Sequence, residues 1–226
     1  PDAVCHVMNC LVEREGQEPV NLFALRGVAR RPDAIWYLRR PVPFVFQVQP
    51  FTSSWLIERR IAVKVGGFRE GLTLHEDLDF LARVALLGGF IVNATTGVIV
   101  RRVPGDGGAL SFQYQRDPVG AWKILHDIYS RLGECPELTW KERLLVRKWQ
   151  SGATWQVGMA MMAKKEVEEA RQAFRRSFFE RPSVITGLRA LLGIMGLGKT
   201  WEIARHFVRK RSSRFRRSAM QRRGMG

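Results

Sequence analysis

Cysteine is scarce in this chain: three in 226 residues, at positions 5, 10 and 135. So few, so scattered, they exclude a disulfide framework and a cysteine-ligated zinc site, and a reducing compartment is the default expectation. Long apolar runs are missing as well, since none approaches the ~20 residues that a bilayer-spanning helix needs. Acidic residues are the third shortage. Twenty-one Asp and Glu stand against 37 Lys and Arg, a formal net charge of +16. The imbalance is uneven: residues 205–226 carry nine Lys/Arg and no acid, which leaves +7 for the first 204. The chain opens on Pro1 with no signal-peptide pattern, and the expectation is a piece of a longer gene product.

What is present is ordinary for a folded protein. Hydrophobic residues make up 46% and charged residues 26%, typical of globular domains, and the length suits one or two of them.

Against the general lack of acid, one cluster stands out: His75-Glu76-Asp77-Leu78-Asp79. It lies within residues 53–89, which read as a helix from Leu56, a Gly66-Gly67 turn, a loop, an acidic helix start and a second helix closed by Gly88 and Gly89. Two explanations fit the cluster. Acidic side chains at a helix N-terminus are stabilised by the unpaired N–H groups and the macrodipole, by ~0.3–1 kcal/mol each. Alternatively, a carboxylate held beside a polar cleft serves as a general base.

The order and spacing of Arg59, Val65-Gly66-Gly67-Phe68-Arg69-Glu70, Leu74-His75-Glu76-Asp77-Leu78-Asp79-Phe80, Arg83 and Gly88 resemble the acceptor-side half of family 2 glycosyltransferases. The resemblance covers roughly the first half of the chain. It implies α/β architecture: a partial GT-A-like mixed sheet with flanking helices, followed by an all-helical C-terminal extension. It also implies an inverting enzyme that moves a sugar from a nucleotide-sugar donor to a glycan or lipid-linked acceptor. Asp77 takes the position of the base, with Glu76 beside it, and Ser54, Trp55 and His75 fall on the acceptor side. A divalent metal (Mg or Mn) is expected for the full-length enzyme, with its ligands in a preceding donor-binding half. This chain alone is therefore expected to be inactive.

Elsewhere the patterns are more local. The apolar string 3–12 is a buried strand, and 13–19, with Gly16 and Pro19, a turn. Residues 21–40 mix five arginines (26, 30, 31, 39 and 40) with apolar side chains. That suits either a basic patch with aromatics for phosphate or nucleic acid or an amphipathic surface helix with snorkelling arginines, ended by Pro41 and Pro43. Residues 44–51 alternate like a strand, and Thr52, Ser53 and Ser54 can cap the helix from Leu56. Residues 90–94 and 98–100 make a short strand pair. Beyond them, 101–111 resemble a family segment in which a His precedes Pro-Gly; here that position is Val103, so metal binding through it is not expected. Arg101 and Arg102 suit a donor diphosphate, since guanidinium forks match phosphate oxygens.

Residues 117–179 are helical in pattern, and 152–182 resemble one tetratricopeptide-like hairpin, which cannot bury its own apolar face alone. Gly193 to Thr200 spells G-x-x-x-x-G-K-T, the phosphate-loop signature. A helical rather than strand-like lead-in, with only 26 residues following, argues against it. The domain expectation is 1–115 for the acceptor-side half, 116–200 for the helical extension and 201–226 for a basic tail. That tail suits an anionic membrane surface better than specific nucleic acid. The protein is expected in the cytoplasm, peripheral to the inner face of the membrane. The competing function is a non-catalytic basic binding module, for anionic membrane or nucleic acid.

Overall fold

The structure, a computed structural model, describes residues 3–28, 33–102 and 116–198. It is a mixed α/β protein with helices at its C-terminal end. Two compact units divide the chain, residues 1–149 and 150–226.

The first unit is built on a five-stranded mixed sheet. Strand β1 (Ala3–Arg14) pairs in parallel with β5 (Gly89–Arg102). β3 (Ile35–Leu38) runs antiparallel along the other side of β5. β4 (Trp55–Ile57) and β2 (Gln17–Asn21) share the free side of β1, both antiparallel, at its beginning and its end. The apolar run at 3–12 is thus a central strand, as its composition implies. One sheet face carries Val7, Phe90 and Val92, all fully buried. Asn9, also buried, uses both ends of its amide. Its Nδ2 donates to Ala94 O at 3.1 Å, and its Oδ1 accepts from the N–H groups of Cys10 and Phe23. These bonds sit where the β1/β5 register shifts, so they stand in for ladder bonds that the bulge removes.

Four local expectations are corrected. Residues 42–48 form helix α2 (Val42–Val48), not a strand. Pro41 and Pro43 open it instead of ending a preceding helix, because proline is tolerated in a first turn, where N–H groups have no intrahelical acceptor. Residues 21–40 are not a surface helix. Their described residues hold only the four-residue α1 (Leu22–Leu25) and the edge strand β3, while Arg30 and Arg31 lie outside the described residues. Thr52–Ser54 is a 3₁₀ turn leading into β4, and helix α3 (Arg59–Lys64) starts later than Leu56. Residues 90–94 and 98–100 belong to the single long strand β5, shifted in register against β1 where Asn9 stands opposite Thr96.

Helix α4 (Glu76–Leu87) follows the acidic cluster and buries Leu78, Phe80, Leu81, Val84 and Ala85 against α2 and β1. Further on come α5 (Pro118–Gly133), capped by Asp117, and α6 (Trp140–Ala163). Thr139 and Glu142 form a capping box at the start of α6: Glu142 Oε2 accepts from Thr139 N at 2.9 Å, and Glu142 N donates to Thr139 Oγ1 at 3.3 Å. Arg40 completes this corner by donating to both Glu142 oxygens and to Glu137 O.

Burial alone would raise the Glu142 pKa, but the bonds from Arg40 and Thr139 outweigh it and hold the pKa below its ordinary value of 4.5. The partner agrees, since Arg40 is shifted upward by the same contact. A depressed folded-state pKa gives stability that is present above the unfolded-state value and is lost as pH falls through the folded one. Melting temperature is therefore expected to decline below about pH 4.5, and the Glu142→Gln variant should show a shallower decline. Calorimetry across pH 3 to 7 checks it; identical acid limbs would contradict the role of this corner.

The second unit packs residues 150–163 of α6 with α7 (Val167–Glu180) and α8 (Val184–Ile194). Trp155, Ala170, Phe174 and Ala190 form its core, with the rings of Trp155 and Phe174 4.6 Å apart. Glycines admit those rings. A Cβ at Gly158 would lie 2.6 Å from the Phe174 ring, and one at Gly193 2.7 Å from it. Phe174 has no exposed surface, so Phe174→Ala should cost about 3–5 kcal/mol, read by denaturant unfolding. A loss below about 1 kcal/mol would mean that the core collapses around the cavity. Gly193, within α8, shows that the phosphate-loop match begins inside a packed helix, as its lead-in suggested. Cys5, Cys10 and Cys135 are free thiols, and burial pushes Cys5 up to about 12.

Candidate functional site

The Gly66-Gly67 turn is the first piece of the site. Both residues have positive φ, +79° and +67°, a conformation that glycine adopts without steric cost. They close α3 through bonds to Val63 O and Ala62 O. Arg83, about two turns inside α4, then grips the turn from outside: its guanidinium donates to Val65 O and to Gly67 O. Asp79 fixes Arg83 at 2.9 Å and Arg69 at 3.2 Å, with its own side chain only 5% exposed. The spacing Asp79-x-x-x-Arg83 places the pair on one helix face. Asp79 is therefore a buried structural carboxylate that ties the glycine turn to α4.

Asp77, two residues earlier, has the opposite surroundings. It is half-buried, in the first turn of α4. Its Oδ1 accepts from Leu78 N at 2.7 Å, and its Oδ2 accepts from the Thr52 hydroxyl at 3.3 Å. The first bond completes the helix start and fixes the carboxylate's direction. The second is long and comes from an exposed hydroxyl. The sequence suggested Thr52 only as part of a cap; its contact with Asp77 bridges 25 positions, which no local pattern reveals.

His75 is the backbone N-cap of α4 and holds the left-handed conformation, φ 60° and ψ 22°. A non-glycine residue there is uncommon, and such strain clusters at functional sites. Its carbonyl accepts from Asp79 N at 2.9 Å. Burial pushes the imidazole pKa below its ordinary value, partly offset by the nearby charges of Asp77 and Glu76. Glu76 is half-buried beside it.

Trp55 lies on β4 with its ring 5.8 Å from Phe80, one turn beyond Asp77; Phe68 stacks on Phe80 at 4.6 Å. The Trp55 indole N–H is buried, with no hydrogen-bond partner among the described residues. Ser54 is buried, and its hydroxyl donates to Phe51 O at 2.7 Å. Its side chain therefore faces the interior. Arg101, at the far end of β5, forms an exposed ion pair with Glu13 at 3.0 Å, and Arg102 pairs through its backbone with Arg14. Val103 and the glycine-rich segment after it lie outside the described residues.

The structure thus gathers Thr52, Trp55, His75, Glu76 and Asp77 around the start of α4. A cleft of about 400 Å³ lies along β1 and β4, lined by His6, Leu56, Glu58 and Ile91 among others; Asp77 is not in its lining. Among the described residues no three His, Cys, Asp or Glu side chains come close enough together to hold a metal ion. Nor is any helix among them long and apolar enough to cross a membrane. No protein-family model matches the chain, and no curated protein matches it at a significant level.

Proposed function

We propose that these residues form the acceptor side of an inverting, GT-A-like glycosyltransferase with Asp77 as its general base. The observation that carries this reading is the contrast between two carboxylates one dipeptide apart. Asp79 is consumed by Arg69 and Arg83. Asp77 is oriented by one backbone N–H and keeps an oxygen toward an exposed hydroxyl. Carboxylates whose surroundings differ in this way divide into structural and chemical roles.

In the reaction, the acceptor hydroxyl takes the place of the long Thr52 contact and gives its proton to Asp77 Oδ2 as its own oxygen attacks the donor's anomeric carbon. The bond from that carbon to the diphosphate breaks, and the electron pair leaves with the nucleoside diphosphate. The Trp55 ring beside Phe80 offers an apolar plane against which sugar C–H groups pack. Burial disfavours the charged form of the neighbouring His75, and so disfavours a cation there that would weaken Asp77 as a base. The divalent ion that the resemblance implies finds no ligand set among the described residues, and no step here runs through it. Arg101, already paired with Glu13, would have to exchange that partner for a diphosphate.

A panel of nucleotide sugars tests the proposal, incubated with the native gene product and glycan or lipid-linked acceptors. Release of nucleoside diphosphate from one donor, dependent on acceptor, is the expected result. Failure to consume any donor would overturn it.

A further inference from the structure

Helix α8 is amphipathic in the wrong sense for a surface helix facing water. Its inner face is made of small residues: Thr186, Ala190 and Gly193 are buried, and Gly193 lies against the Phe174 and Trp155 rings. Its large aliphatic residues point the other way. Val184 is 89% exposed, Ile185 67%, Leu188 50%, Leu191 53% and Met195 61%. The spacing 184, 188, 191, 195 makes one continuous stripe. The stripe exposes apolar surface on the order of several hundred Å², the size at which a patch on a monomer marks an interaction site. The helix contains no acidic residue and one basic residue, Arg189, which stacks over Trp155 with its guanidinium carbon 5.0 Å from the ring centre.

The charge of the C-terminal segment indicates the occupant. Residues 199–226 carry ten Lys/Arg and one acid, Glu202. A second copy docking through the same stripe would bring two such segments together, and their like charges would oppose it. Nucleic acid would suit the charge but has no use for an aliphatic stripe. An anionic lipid surface satisfies both, taking the aliphatic side chains among its acyl chains and the cations at its headgroups. At 11 residues the helix is about 16 Å long, too short to span a bilayer, so it lies in the interface. We infer that α8 is a membrane-docking helix, its Val184–Leu188–Leu191–Met195 stripe entering the headgroup boundary of an anionic leaflet, with the basic segment that follows it in the chain adding its charge. This extends the partner expected for the basic tail to a built surface of the fold, and it holds independently of the transferase proposal.

Vesicle flotation with the full chain tests it, using equimolar phosphatidylglycerol and phosphatidylcholine against phosphatidylcholine alone. The chain should float with the anionic vesicles, and the Leu188→Asp/Leu191→Asp variant should partition about tenfold less. Both positions are exposed, and matching helicity by circular dichroism confirms that the variant is folded. Equal flotation of variant and wild type would leave the tail as the sole attachment and overturn the inference. So would absence of flotation by the wild type. A lipid-free dimer that the double substitution converts to monomer would overturn it in favour of a second copy.

Discussion

Asp77→Asn in the full-length gene product is expected to slow sugar transfer by roughly 10²–10⁴-fold, the range that a positioned general base contributes. The substitution suits the geometry. Asparagine keeps a carbonyl oxygen that can accept from Leu78 N, as Asp77 Oδ1 does at 2.7 Å, so the helix start survives. What disappears is the basic oxygen that faces Thr52. On the competing view that Asp77 merely finishes α4, the only loss would be its interaction with the helix dipole, about 0.3–1 kcal/mol. That would lower the melting midpoint by at most about 4 °C for a chain of this size and leave turnover alone. The two readings therefore differ by orders of magnitude in rate.

Asp79→Ala should be the more damaging change to the fold. It strands two guanidinium groups, Arg83 and Arg69, whose side chains are only 20% and 34% exposed. Removing one partner of a buried ion pair costs about 3–5 kcal/mol, and the partial access of water to Arg69 argues for the lower end. Arg83 would also lose its anchor while holding Val65 O and Gly67 O, which loosens the glycine turn. Urea unfolding of Asp79→Ala, Arg83→Ala and the double variant measures this. The single losses should be strongly non-additive, since each removes the same clamp. Losses below about 1 kcal/mol, or simple additivity, would show that the clamp does not hold the turn.

These two carboxylates also show how much of the structure is legible in the chain. The acidic helix start, the glycine turn and the Asp79/Arg83 spacing are local features, and local features survive translation into structure. β1 is legible for a similar reason, as a continuous apolar string suits a strand covered by neighbours. α2 is not. Its Val42, Phe44, Val45, Phe46 and Val48 are all buried, and a helix surrounded on nearly every side has no polar face to display its period. The alternation of phenylalanines with smaller residues then imitates a strand. β3 escapes notice because four residues at a sheet edge carry too little pattern, and the arginines around them suggest a surface helix. The contacts of Arg40 with Glu142 and of Thr52 with Asp77 depend on chain segments that meet only in three dimensions. The outward aliphatic stripe of α8 is hidden differently: periodicity shows that a helix has an apolar face but not which way that face turns.

Side-by-side preparations of the full-length gene product carrying Asp77→Asn or Asp79→Asn, compared with its wild type at equal folded fraction for release of nucleoside diphosphate, test the central claim most directly. The account predicts that the Asp77 variant melts like wild type yet turns over at about one-hundredth of its rate or less, while the Asp79 variant melts early. An Asp77 variant that is fully folded and turns over at the wild-type rate would contradict it.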